Sequence, residues 1–244
     1  MTAHFAIPAT TFVLQAVLQR RLKLAYGSLT APTVSVDPPP RPPATAATPA
    51  PAPQPEPASL HLFLHHVAPN PAWRNMHEPH VDSGGRRVGP SPLAVDLHYL
   101  LAATGADLER EVLLGLGIAA LNRHGIVPRP LIRSILDSIL IPTTPTRLID
   151  LLTSEPLDDP ARQPEQISVS QAPVDIDLST KIWSALQSPM RPCAHFLVTT
   201  VFLDTGDTYP PAAEVTQARV GVRPDPAPAT AVPPGNTLTI ADGA

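Results

Sequence analysis

One cysteine, Cys193, is all the thiol chemistry the chain carries. A single thiol closes no internal disulfide and builds no cysteine-based zinc cluster, and it fits folding in a reducing cytoplasm. Basic charge is also scarce. Lys and Arg number 17 against 21 Asp and Glu, a net charge of −4, and the pI is near 6.1. That is no footprint for a nucleic-acid backbone, so nucleic acid is not an expected partner. No apolar run reaches the roughly 18 residues of a membrane span. No Lys or Arg precedes the first apolar stretch, as a secretory signal would require. Neither a membrane partner nor a signal peptide is expected. Cytoplasmic assembly is, with later release inside a larger particle left open.

Catalytic signatures are missing as well. There is no G-x-S-x-G elbow. Gly84-Gly85 and Gly115-Leu116-Gly117 lack the spacing of a phosphate-binding loop. Cys193 and His195 share one face of a strand, but a nucleophile also needs a base within reach and a third group to orient it. A small buried residue at a strand end is the plainer reading of Cys193. Asp158-Asp159 and Asp175 with Asp177 sit in Pro-rich loops and read as solvated turns. The chain is therefore not expected to be an enzyme or to hold a cofactor.

What the sequence has in excess is proline, 34 of 244 residues, against a usual share of about 5%. Ten lie between Asp37 and Ala58, and a second cluster is Pro224, Pro226, Pro228, Pro233 and Pro234. Proline lacks an N–H and fixes φ, so residues 38–58 can be neither a central strand nor a helix interior. They are expected to form an extended surface loop inserted between two strands, cheap to delete. A ligand for a Pro-recognising domain is the alternative use. The remaining chain is apolar enough, at 43% hydrophobic overall, to bury one core. The expected organisation is an α/β domain over residues 1–205 and an extended arm over 206–244.

The periodicity predicts a helix over residues 9–26 with Phe12, Val13, Ala16, Val17, Arg20 and Leu24 as its stripe, stopped by Gly27. Strands are predicted at 33–36, 59–67, 93–103, 147–152, 166–170 and 194–203. Further helices are expected at 107–123, capped by Asp107 and closed by a left-handed Gly125, and at 178–187, capped by Asp177 or Ser179. Residues 131–140 allow one or two helical turns. Gly115 and Gly117 cost about 1 kcal/mol each relative to Ala inside a helix, which points to close packing there. The fold class is α/β (α+β): a single compact domain, a mixed or antiparallel sheet, and helices on one side.

Six of the nine histidines fall between His61 and His98. His61, His65, His66, His77, His80 and His98 are imidazoles of the kind that bind zinc or copper, with Asp82 and Asp96 as carboxylates. Alternation places His65 on the face of His61 and turns His66 away. Ordinary surface histidines are the plainer reading, and a metal-binding enzyme built on this cluster is the alternative. In the arm, Asn236-Thr237-Leu238-Thr239-Ile240 is short and β-prone, suited to adding onto a neighbour's sheet edge; a disordered tail is the other reading.

Five stretches carry a resemblance. Leu64-His65-His66-Val67-Ala68-Pro69-Asn70-Pro71-Ala72-Trp73-Arg74-Asn75 resembles the "hhYHVxPNPAxRN" signature in the N-terminal domain of cap proteins of contractile injection systems. Pro92 to Leu101 resembles the family's "PLxLDLxYLL" strand, and the run from Leu113 to His124 its "LLGxAIxxLxxHP" helix. Leu178 to Leu186, with Trp183, is similar to "LxxlWSAL". Arg191 to Asp204 is similar to "RPSxxYxVxVVxID", with Cys193 in place of Ser and Phe196 in place of Tyr. The blocks keep the family's order across residues 10–205. The resemblance implies a tail-terminator-like structural cap: a homohexameric ring on the distal end of a phage-tail-like particle. It would contact sheath subunits and the inner tube or its terminator, stop polymerisation and anchor the extended sheath. Trp73 and Arg74 are residue types that dominate interfaces. Trp73, Arg74 and Asn75 in the signature, with Leu238 and Ile240 in the arm, are the expected interface residues, core packing being the other reading of Trp73.

Overall fold

Helix α1 (Ala6–Tyr26) begins three residues before the predicted start at residue 9. Pro8 falls in its first turn, where the missing N–H breaks no helical bond. Gly27 ends it at φ +56, donating its N–H to the Lys23 carbonyl. In this computed structural model the described residues are 3–41, 56–73, 92–139, 142–153, 155–160 and 163–203, with the backbone of 220–221 and 237–238. The buried stripe of α1 is Val13, Leu14, Val17, Leu18 and Leu22. Phe12 and Ala16 are only partly buried, and Leu24 is 74% exposed. The expected stripe was thus rotated toward solvent: Leu14, Leu18 and Leu22 hold the i, i+4 row that meets the sheet.

Five strands make one mixed sheet in the order β1-β2-β3-β5-β4. They are β1 (Thr33–Ser35), β2 (Ser59–Pro69), β3 (Leu93–Thr104), β4 (Ser168–Gln171) and β5 (Cys193–Leu203). Only the β1–β2 pair is parallel. The centre, β3, is buried along nearly its whole length, as a strand covered on both faces must be. Between β3 and β4 come α2 (Glu109–Arg123), α3 (Arg129–Leu136) and the single turn α4 (Glu155–Asp158). Between β4 and β5 comes α5 (Ile176–Leu186).

One face of the sheet packs against α1 and α2, with Leu60, Leu62, Leu97, Leu101, Phe196 and Val198 at the contact. Each such fully buried Leu is worth about 1.5–3 kcal/mol of transfer free energy. Tyr99 is buried there with its hydroxyl 2.7 Å from Thr11 Oγ1. A Cβ on Gly117 would meet Leu101 and Leu60 at 3.0 and 3.1 Å, so this glycine lets α2 sit on the sheet; Gly115 has open space instead. The other face is covered by α5, where Trp183, 2% exposed, packs on Leu100 and Ala102. Helices therefore flank both faces rather than one, because residues facing away from α1 are also apolar in mid-sheet.

Other expectations change locally. Asp107 has φ +50 and does not cap α2; Leu108 holds that position with no side-chain bond. Gly125 is not left-handed, and its carbonyl instead accepts from Val169 N–H at 2.8 Å. Asp175, not Asp177 or Ser179, caps α5. Residues 148–151 form a 3-10 turn rather than a strand, because Asp150 Oδ2 accepts from the N–H groups of Thr146 and Arg147 at 3.1 and 3.0 Å. The stems of the Pro-rich insert are docked rather than free. Arg191 pairs with Glu56 and donates to the Pro40 carbonyl at 3.3 Å; Arg41 donates to Leu186 O at 3.1 Å. Residues 42–55 lie outside the described residues.

Both sheet edges are partly closed. Gln15 and Gln19 on α1 imitate a neighbouring strand for β1: Gln15 donates to Val34 O, Gln19 donates to Pro32 O and accepts from Val34 N–H. Segment 125–127 covers β4 by the Val169–Gly125 and Val127–Ile167 bonds. Since β1 reaches only Ser59 to His61 of β2, the outer side of residues 62–69 has no backbone partner among the described residues.

Candidate functional site

The signature stretch closes one end of the sheet, and Asn70 is its pivot. Asn70 continues the ladder by donating its backbone N–H to Ala94 O at 2.9 Å. Its side chain is buried, and Nδ2 donates to Asp96 Oδ1 at 2.8 Å and to Thr200 Oγ1 at 3.2 Å. Its Oδ1 accepts from the N–H groups of Ala72 and Trp73 at 2.9 and 3.0 Å. One amide thus uses both donors and its acceptor, tying the turn to β3 and β5. An alanine has none of these groups. Asn before Pro is kept out of the helical region, so the turn at Pro71 and Ala72 starts from an extended Asn70 and is held by its side chain. Nearby, buried Gln163 forms a two-bond amide bridge to Phe202, donating to its carbonyl at 3.0 Å and accepting its N–H at 3.2 Å.

Trp73 stands half-buried with its ring edge-on to Phe202, centroids 4.9 Å apart. It is both packed against the end of β5 and reachable from outside, so neither expected reading of it displaces the other. Arg74 and Asn75 lie outside the described residues, as does Ile240. Leu238 is in β7 (Thr237–Leu238), which pairs antiparallel with β6 (Val220–Gly221) of the same chain. What residue spacing alone did not reveal is the Asn70–Asp96–Thr200 group, whose members are 26 and 130 positions apart.

The histidines meet on the sheet face that carries α5. A β-bulge between Leu64 and His66 breaks the alternation. His66 is therefore not turned away: its ring lies 5.1 Å from that of His98, while His65 lies 6.2 Å from His98 and 5.8 Å from His195. Burial, then the neighbouring His195, His98 and His66, push the His65 pKa down to about 4. Burial likewise lowers His98 and His195. Neither ring nitrogen of His195 has a hydrogen-bond partner among the described residues. Among the described residues no group of three His, Cys, Asp or Glu is placed to hold a metal ion; His77, His80 and Asp82 lie outside them. Cys193 is half-buried beside Trp183, Leu100 and Ala102. No hydrogen bond joins it to His195 among the described residues. Asp158 is not a free carboxylate but pairs with Arg133 at 2.6 Å.

A groove of about 570 Å³ runs between α1, β2 and the 148–151 turn, walled by Ile7, Phe12, Phe63, Leu64, Ile139 and Ile149. The charged groups in its wall, Arg147 and Asp150, pair with each other at 3.1 Å. No described helix is long and apolar enough to cross a membrane.

Residues 9–217 match the Pvc16 N-terminal domain family. Among curated proteins none matches the sequence. Two cryo-EM structures are similar. The sheath/tube terminator of an extracellular contractile injection system, PVC, in its extended state, shares 13% identity at a TM-score of 0.47, covering 84% of this chain and 61% of that one. The tube-terminating cap of the anti-feeding prophage shares 14% at a TM-score of 0.43, covering 83% and 59%. The chain spans about three fifths of the length of the solved structures it matches.

Proposed function

The chain belongs to the Pvc16 N-terminal domain family, and on that premise we propose that it is a structural cap of a contractile, phage-tail-like particle. It sits on the distal end of the inner tube and sheath as a homohexameric ring, ends their growth and holds the extended sheath to the tube. A growing tube offers the same heterologous surface at every layer, so growth continues until a ring that does not propagate binds. Such a role asks for one complementary face and no catalytic group. The family match over residues 9–217 carries this reading.

The signature end of the sheet is the proposed contact with sheath or tube. The Asn70 side chain holds the turn by two backbone N–H bonds, Trp73 stands half-buried in it, and Val67 and Leu93 nearby are exposed. Arg74 and Asn75 extend that surface, and Leu238 and Ile240 in the arm add a strand to a sheath subunit. Assembly occurs in the cytoplasm, before any release of the particle.

Electron microscopy of particles from the producing strain, with and without this gene, tests the role. Overlong, uncapped or already contracted particles are expected without it. Particles of normal length with a normal end would overturn it.

A further inference from the structure

Helix α2 carries opposite charge at its two ends, and each charge comes with apolar surface. Near its C-terminus, Arg20, Arg21 and Arg123 rim a pocket of about 290 Å³ over Val17, Leu24 and Leu131, with His124 beside them. No acidic side chain lines it. None of the three arginines forms an ion pair among the described residues. In a chain of net charge −4, three guanidinium groups around an apolar floor make a local inversion of sign.

At the other end, Asp107, Glu109 and Glu111 are exposed, with Arg110 the one base among residues 107–112. Leu108 stands between Asp107 and Glu109 and Val112 follows Glu111, 68% and 54% exposed. Glu109 accepts from the Tyr26 hydroxyl at 3.2 Å; Asp107 and Glu111 form no ion pair among the described residues. The two ends are about 22 Å apart at 1.5 Å per residue.

We infer that the acidic end of α2 in one copy seats in the basic pocket of a second copy: Asp107 and Glu111 face Arg20, Arg21 and Arg123, and Leu108 covers Leu24 and Leu131. The inference rests on the ring reading above. The patches are different surfaces of one molecule, so the contact is head-to-tail, the kind that repeats around a ring and closes it. The rim charges set register and speed encounter, while burial of Leu108 slows dissociation.

Charge reversal in the full chain tests it. One variant carries Arg20→Glu and Arg123→Glu, the other Asp107→Asn and Glu111→Arg. All four side chains are exposed, so both variants should melt like the wild type. In sedimentation velocity each should self-associate at least about tenfold more weakly than the wild type, and the chain carrying all four changes should recover association. Unchanged association in either variant overturns the contact, as does a wild-type chain that stays monomeric across the concentration range. Complementation of the deletion strain separates this failure from that of the cap role. If wild type and both variants restore normal ends equally, the cap stands and this contact falls. If the deletion itself leaves particles normal, the cap reading falls.

Discussion

A single amide decides how the signature stretch folds. Asn70 makes four side-chain bonds from a buried position, and Asn70→Ala strands a buried carboxylate and two backbone N–H groups. A loss of about 2–3 kcal/mol is expected in urea unfolding, with no change if the turn is held by its backbone alone. His65 sets a pH dependence. Folded, it titrates at about 4; its ordinary value is 6.5. Between those values the unfolded chain binds the extra proton, so stability is full above pH 6.5 and falls as pH drops toward 4. His66, His98 and His195 face it and add like charge, while Asp96 opposes that at His98. His65→Gln should flatten the melting temperature between pH 6.5 and 4, and an unaltered slope would assign the acid sensitivity elsewhere. The histidine types and rough positions were legible in sequence; their meeting was not, because one bulge residue shifts the pattern by half a period.

At the scale of elements, the Pro-rich insert divides into stems and a span. Arg191, whose side chain is 10% exposed, clamps both stems through Glu56 and the Pro40 carbonyl, and Ser188 adds a bond to that carbonyl at 2.9 Å. Replacing residues 42–55 by a short Gly-Ser linker should cost under about 1 kcal/mol, since loop closure depends weakly on length. Arg191→Ala should cost about 2–4 kcal/mol by leaving Glu56 unpaired in a partly buried place. Thermal melts of the two variants check this; equal melting would mean the clamp is idle. Composition identified the insert but not where it ends, because a docked proline and a solvated one read alike. Residues 147–152 misled for a related reason. Their apolar run has strand character, yet Asp150 captures two backbone N–H groups and closes a turn.

For the whole molecule, the domain and the arm should separate. A chain truncated after Leu203 keeps every strand of the five-stranded sheet, so it should fold with near-native melting while particles carrying it lose sheath attachment. Full attachment of the truncated cap would remove the arm from the proposed contact. Charge behaves differently at this scale than in any total: a net −4 chain still gathers three arginines around one pocket.

The long apolar strands, the main helices and the family blocks were legible in sequence, since periodicity, proline and glycine act through local backbone geometry, whereas the choice between a mixed and an antiparallel sheet fell to the parallel β1–β2 pair. Tertiary structure alone decided which residues meet. It joined Asn70 to Asp96 and Thr200, placed α5 on the second face, brought four imidazoles together and left Leu24 beside Arg20, Arg21 and Arg123. Those outcomes depend on register, a bulge and the rotation of α1. Each is set by long-range packing that short-range spacing does not encode.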